Sequence, residues 1–360
     1  MFRMIKRTKI TKKQSALIRI YAVLLAFLFS GLFILLLGHN PLAVYKSMFL
    51  GAFGSVYRIK ETLTITIPLV ITSIGIMIAF KMKFWNIGGE GQILMGAFFA
   101  SIFALNFGYL PKLILLPIMF LAGFIGGGLW ALLPAIFKVK FDTNETIITL
   151  MLNYIAIKWI TYLQYGPWKD PEAMGFPKIA NFSKNAILPS LFGVHIGWII
   201  GIIIVIIVSI FMKKSKWGYK ISVIGESIDT ARYAGINISK VVLTSIFLSG
   251  GICGIVGMIE ASAVNQTLTP ALSAGYGFTA IITTWLSGLV PSIIIPVSLL
   301  FGGLVKGGNF IQTAFQIPKA AAQILQSMIL FFVIGSEFFV NYELIFNKNF
   351  KKIFSKKESA

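Results

Sequence analysis

Ten apolar runs, each near the length needed to cross a bilayer, constrain this chain more than any other feature in it. They occupy 20–37, 62–80, 91–107, 113–137, 147–165, 196–212, 241–259, 276–290, 292–307 and 320–340. A membrane-spanning helix needs about 20 apolar residues, somewhat fewer where the bilayer is thin. With 57% hydrophobic and 12% charged residues in 360, the chain carries more apolar surface than a soluble core can hide. The expected fold is an all-α polytopic membrane protein of about ten transmembrane helices. A basic N-terminus (1–19) precedes the membrane domain (20–340), and a basic tail (341–360) follows it.

Charge placement supplies the orientation. Arg3, Lys6, Arg7, Lys9, Lys12, Lys13 and Arg19 precede the first run, and Gly38-His39-Asn40-Pro41 after it lacks a small-x-small cleavage pattern, so it reads as an uncleaved span. Threading ten spans from a cytoplasmic start puts most of the 32 Lys and Arg residues inside. This asymmetry places both termini and the 213–240 interval of a multi-pass membrane protein in the cytoplasm. The net charge of +20 therefore reads as lipid-interface anchoring. The basic residues form no aromatic-interleaved patch, which argues against nucleic acid. A single cysteine, Cys253, excludes an intrachain disulfide, and His39 and His195 have no partners at metal-ligand spacing.

The interval 213–240, KKSKWGYKISVIGESIDTARYAGINISK, is the longest polar interruption between two strongly apolar runs. Its centre predicts a short helix, with Ser227 as N-cap, Asp229 in the first turn and Gly235 as the stop after Ala231, Arg232, Tyr233 and Ala234. A helix of about two turns cannot bury an apolar face against its own loop. The segment is either a solvated connector or a surface made for another protein.

Acidic residues number only 12, so those near the bilayer are informative. Glu90 lies between glycines in NIGGEGQ, beside Asn86 and Gln92, where it either lines a polar cavity or caps the following helix. Glu337 and Lys158 are lone charges within spans, facing the bundle interior or snorkelling to an interface. Asn153 and Tyr154 in LMLNYIA, and Asn309 with Gln312, either hydrogen-bond neighbouring helices or read the hydroxyls of a polar solute. Gly123, Gly127, Gly251, Gly254 and Gly257 have the spacing of closely packed helices. Two glycine-broken stretches, 86–92 and 273–278, open the third and eighth runs at matching places, as in a repeat of two five-helix halves. The Pro-rich 166–195 segment caps an outer mouth, docks an external partner or is inert. The chain has no GxxxxGK[ST], HExxH or GxSxG motif, so it offers no site for ATP or for hydrolytic chemistry and reads as no enzyme.

Three motifs together carry a resemblance. KFWNIGGEGQILMGAFFAS (83–101), TNETIITLMLNYIA with the later YGPWKDP (143–156 and 165–171), and VIGESIDTARYAGINISK with LSGGICGIVG (223–240 and 248–257) resemble permease subunits of bacterial ABC importers. The likeness is to the nucleoside and simple-sugar permeases, relatives of the ribose and branched-chain amino-acid permeases. GYGFTAIITTWLSG and LLFGG extend it over nearly the whole chain after the first run. GPWKDP resembles the branch that carries purine nucleosides. Gly89, where relatives often have a larger residue, and SGLVP at 287–291 depart from the pattern.

The resemblance implies alternating-access import of a nucleoside, a purine nucleoside foremost, with a simple sugar such as ribose as the alternative. An ion-coupled secondary transporter is a weaker rival. It also implies no cofactor in this chain, with ATP and Mg bound by a separate cytoplasmic ATPase. The partners would be that ATPase, a second permease (identical or homologous), an extracytoplasmic substrate-binding lipoprotein and membrane lipid. Gly225, Glu226, Asp229, Ala231, Arg232, Tyr233, Ala234, Gly235 and Ile236 would form the coupling helix seated in the ATPase. By motif position, Asn86, Glu90, Gln92, Asn153, Tyr276 and Phe278 would line the solute pathway.

Overall fold

Caps, more than hydropathy, decide where the helices begin. The computed structural model describes residues 2–6 and 11–346. Thr11 opens α1 (Lys12–Leu36) with a reciprocal capping box to Gln14. Asn40 caps α2 (Pro41–Phe53), whose proline sits at a position where no N–H is needed. Ser55 caps α3 (Val56–Lys81), and Gly88 precedes α4 (Gly89–Asn106). Two long helices follow, α5 (Lys112–Phe141) and the Asn144-capped α6 (Glu145–Tyr165). After a largely non-helical segment with the small hairpin 190–195 comes α7 (Gly197–Lys214). Next are α8 (Lys216–Glu226), α9 (Ile228–Tyr233) and α10 (Ile238–Ile259), which runs on as a π-helical turn through Asn265. The chain ends with α11 (Tyr276–Leu286), α12 (Pro291–Ala314) and α13 (Lys319–Asn341).

The chain divides into two bodies, one of residues 1–54 with 304–360 and one of 55–303. In the first, Ile34, Val44, Met48, Ile311, Ala322 and Leu325 form an apolar core. The Tyr45 hydroxyl donates to the Phe27 carbonyl at 2.6 Å and meets Ser30 at 2.7 Å, tying α2 back to α1. Strand β1 (Phe2–Lys6) pairs antiparallel with the final strand, Tyr342–Phe346. That pairing brings the two ends of the described chain side by side. The basic tail beyond residue 346, and the side chain of Glu337, lie outside the described residues.

The second body is built on α4, α5 and α10. Here the glycines act as the spacing indicates. A Cβ on Gly96 or Gly127 would overlap Gly254 backbone, one on Gly254 would strike the Gly123 carbonyl, and one on Gly257 would strike the Ile93 carbonyl. Backbones in direct contact gain dispersion energy that lipid chains cannot supply. The buried face of α6 is one stripe, Glu145, Thr149, Asn153, Ala156, Ile160 and Leu163, laid on α4 and α5.

The ten-run expectation needs two corrections. Eight helices among the described residues are long and apolar enough to span. The run 91–107 lies in α4, whose 18 residues measure about 27 Å but carry a polar first turn. The run 276–290 is no full span, because α11 has 11 residues, about 16 Å. The remainder of that crossing is the non-helical stretch 266–275, with Gln266, Ala274 and Gly275 in left-handed backbone. Its start is tied to the outer segment by Phe182 N–H to Gln266 O at 2.8 Å and Thr267 Oγ1 to Ile179 O at 2.9 Å. Its end stacks Trp285 on Trp85, just past the end of α3. The eighth expected crossing is therefore broken, a non-helical stretch followed by a short helix. Sequence periodicity also passed over α2 and α8.

Candidate functional site

The start of α4 is a buried polar joint. Asn86 and Gln92 exchange amide hydrogen bonds, Nδ2 to Oε1 at 3.2 Å and Nε2 to Oδ1 at 2.9 Å, and Asn86 also donates to Ser249 on α10. Asn153 of α6 accepts from Gly91 N–H at 2.8 Å and donates to the Ile87 carbonyl at 2.9 Å. Thr149 accepts from Ile87 N–H at 3.3 Å. These amides thus hold an irregular turn inside apolar surroundings, where unpaired backbone groups would be costly. Asn86, Gln92 and Asn153, expected along the pathway by motif position, make these hydrogen bonds to neighbouring protein groups.

Glu90 occupies the contact between two helix starts. Gly89 packs on Gly277, and Gly277 N–H donates to Glu90 Oε1 at 3.2 Å, so the N-terminal end of α11 faces the carboxylate. Such an end offers free N–H groups and a favourable dipole to an anion. Oε2 is buried without a hydrogen-bond partner. Tyr276 is the first residue of α11, beside Gly277, while Phe278 is 42% exposed. Glu260 was missed by sequence reading. It lies at the first position of the π-helical turn, 2% exposed, with Oε1 unpartnered. The signal was a lone carboxylate closing the apolar run that begins at Val241.

The 213–240 segment takes shape as two helices where one was expected. Gly225 and Glu226 belong to the end of α8, since Gly225 presses on the Lys81 carbonyl so closely that any Cβ would overlap it. Lys83 Nζ donates to the Glu226 carbonyl at 3.4 Å. The anticipated cap and stop both hold for α9. Ser227 Oγ accepts from Thr230 N–H at 3.2 Å, and Gly235 adopts φ +71°. Gly235 N–H to Arg232 O and Ile236 N–H to Ala231 O close the helix in a Schellman pattern. Ala231 is fully buried and Ile236 packs on the core, whereas Tyr233 is 97% exposed. Asp229 and Arg232 pair at 3.3 Å on the open face. The result is a six-residue helix pinned by one alanine, with its polar and aromatic face turned outward.

A cavity of about 480 Å³ between α3, α7 and the outer hairpin is walled by apolar groups such as Ile67, Val70, Trp198 and Val205, with Lys60 at its margin. It offers a polar solute few hydrogen-bond partners.

Comparison with known proteins gives a consistent outcome. Residues 58–334 match the family described as the permease component of the branched-chain amino acid transport system. A glucose ABC transporter permease of Haloferax volcanii is 32% identical over 90% of this chain and 88% of its own length. A nucleoside ABC transporter permease of Lactococcus lactis is 29% identical over 89% of this chain and 91% of its own. A guanosine ABC transporter permease of Bacillus subtilis is 27% identical over 89% of this chain and 93% of its own.

Proposed function

The chain belongs to the permease-component family of the branched-chain amino acid transport system and is a multi-pass ABC permease of the cytoplasmic membrane; on that footing we propose that it moves a nucleoside, purine nucleosides foremost, by alternating access. The observation that carries this reading is α9, an exposed, firmly capped helix with no apolar core of its own. A surface so presented suits a socket in another protein. The occupant of the other side is a separate ATPase that binds ATP and Mg, and a substrate-binding lipoprotein delivers the solute from outside. A second permease, a copy or a homologue, completes the translocating pair. Asp229, Ala231, Arg232, Tyr233, Ala234, Gly235 and Ile236 form the coupling element, with Gly225 and Glu226 anchoring it to α3. Glu90, Tyr276 and Phe278 form the joint at which the broken crossing shifts between two states, and Asn86, Gln92 and Asn153 hold its fixed side. Partner binding drives the cycle only through contacts that differ between those states.

A simple sugar is the second reading, favoured by the 32% identical relative that is named for glucose. Labelled uptake into proteoliposomes containing permease, ATPase and lipoprotein, competed with adenosine, guanosine, ribose or glucose, separates the two. Uptake should require ATP and be competed by purine nucleosides; competition by glucose alone assigns the sugar. Arg232→Ala should lower uptake at least ~10-fold while the lipoprotein still binds solute. Full uptake by that variant removes α9 from the coupling role.

A further inference from the structure

The face of α6 opposite its packing stripe is unlike the outer face of α7. On α7 the corresponding surface is Ile202, Ile203, Ile206, Ile207 and Ile210, each 45–58% exposed, a surface suited to acyl chains. On α6 the open groove is lined by Tyr154, Ile155, Lys158, Trp159 and Tyr162. Tyr154 and Tyr162 are 61% and 60% exposed, and Trp159 is 41% exposed. Lys158 is exposed and has no acidic partner among the described residues.

Depth makes this face costly in lipid. Lys158 lies seven residues before Tyr165, the end of α6, and therefore about 10 Å inside the nearer end. Side chains on a helix lean toward its N-terminus, which for α6 is the farther end, about 20 Å away. Snorkelling would have to bend the lysine against that lean. Placing the ammonium in hydrocarbon at such depth is expensive, and the neighbouring tyrosine hydroxyls would lose their water as well. Trp159 meets Tyr162 at 5.8 Å with rings 33° apart, so the two present a broad tilted aromatic surface beside the charge. Phe98 of α4 braces Trp159 edge-on from behind at 5.9 Å.

We propose that the Tyr154–Lys158–Trp159–Tyr162 face of α6 is the wall of the water-filled conduit and the contact surface for a neutral, ring-bearing, hydroxyl-rich solute. Trp159 and Tyr162 take the ring face by stacking, as aromatic platforms do for bases and sugars. The Lys158 ammonium and the tyrosine hydroxyls donate to the solute's hydroxyl or carbonyl oxygens. The inference rests on the permease reading above. Asn153 on the opposite side of the same helix ties this wall to the start of α4 through Gly91, so the wall stays in register with the fixed side of the Glu90 joint.

The test uses the native background, because the lone Cys253 is fully buried. Lys158→Cys and Tyr162→Cys, with Ile206→Cys as the acyl-facing control, are made in the full chain assembled with its partners in membranes. Each is treated with a charged, membrane-impermeant methanethiosulfonate. The expected result is modification at 158 and 162 at least ~10-fold faster than at 206. Rates at 158 and 162 equal to the control overturn the proposal, whatever the transported solute proves to be, since labelling needs no solute. For solute contact, Trp159→Ala should lower the uptake rate at saturating lipoprotein at least ~10-fold, with Trp159→Phe restoring most of it. If neither change alters uptake, the solute-contact assignment is overturned. Absent nucleoside uptake by the unmodified protein, with both positions reactive, counts against the nucleoside reading alone.

Discussion

At Gly254 there is no room for one more carbon. Its added Cβ would overlap the Gly123 carbonyl and sit against Gly127, all of it backbone that cannot swing aside. Gly254→Ala should cost roughly 2 kcal/mol or more by overpacking, read as a lowered melting temperature in detergent; an unchanged value would show that α5 and α10 can separate freely. His195 gives a pH-dependent counterpart. It lies in the outer hairpin, 8% exposed, with both ring nitrogens unpartnered. Burial pushes the imidazole down from 6.5 to about 4, so the fold favours its neutral form. The contribution is complete above pH 6.5 and is lost as pH falls through about 4. Protease resistance of the hairpin should fall over that window, and His195→Phe should flatten the dependence. The residue scale also shows the limit of sequence reading. The packing glycines were legible because spacing along a helix survives in the text. The meeting of Glu90 with Gly277 was not, because it joins residues separated by a long stretch of chain.

Among the elements, α9 was the most legible, since caps and stops are local chemistry. Ser227, Asp229 and Gly235 each declare their role without tertiary help. Removing the cap with Ser227→Ala should cost about 1 kcal/mol of local helix stability. Faster amide exchange confined to α9, with reduced ATPase coupling, is the expected signature. Tyr233→Ala should leave the melting temperature unchanged, because Tyr233 is 97% exposed, and should weaken ATPase association in a pull-down titration. The broken crossing was less legible. Hydropathy averages over 276–290 as though the backbone were continuous, whereas left-handed Ala274 and Gly275 and an 11-residue helix show a half-depth element. The run's composition told of burial, and only tertiary contacts at Gly277 and Trp285 told of direction. Two short helices, α2 and α8, escaped because neither is long enough to read as a span, and α8 was absorbed into a stretch read as polar loop.

Over the whole molecule, the antiparallel pairing of Phe2–Lys6 and Tyr342–Phe346 sets the two ends of the described chain side by side, and ten crossings would keep both on one side of the membrane. Reporter fusions at the two ends should therefore report the same compartment, and the cytoplasmic one by the positive-inside asymmetry. Opposite compartments would sink the ten-crossing topology. The continuity of the Ile238–Asn265 helix has a mechanical corollary. Its 22 α-helical residues form a rod about 33 Å long, extended by the π-helical turn through Asn265. At its foot the connection to α9 is two residues after Gly235, and at its head Ser262 Oγ accepts from Leu188 N–H at 2.9 Å and donates to the Ala186 carbonyl. A displacement imposed at the cytosolic end would thus arrive at the periplasm-facing or external surface undiminished, like the far end of a seesaw plank. In the assembly proposed above, nucleotide turnover at one end and release by a docked receptor at the other would then be timed by a single stiff lever, without any relay of side chains between them.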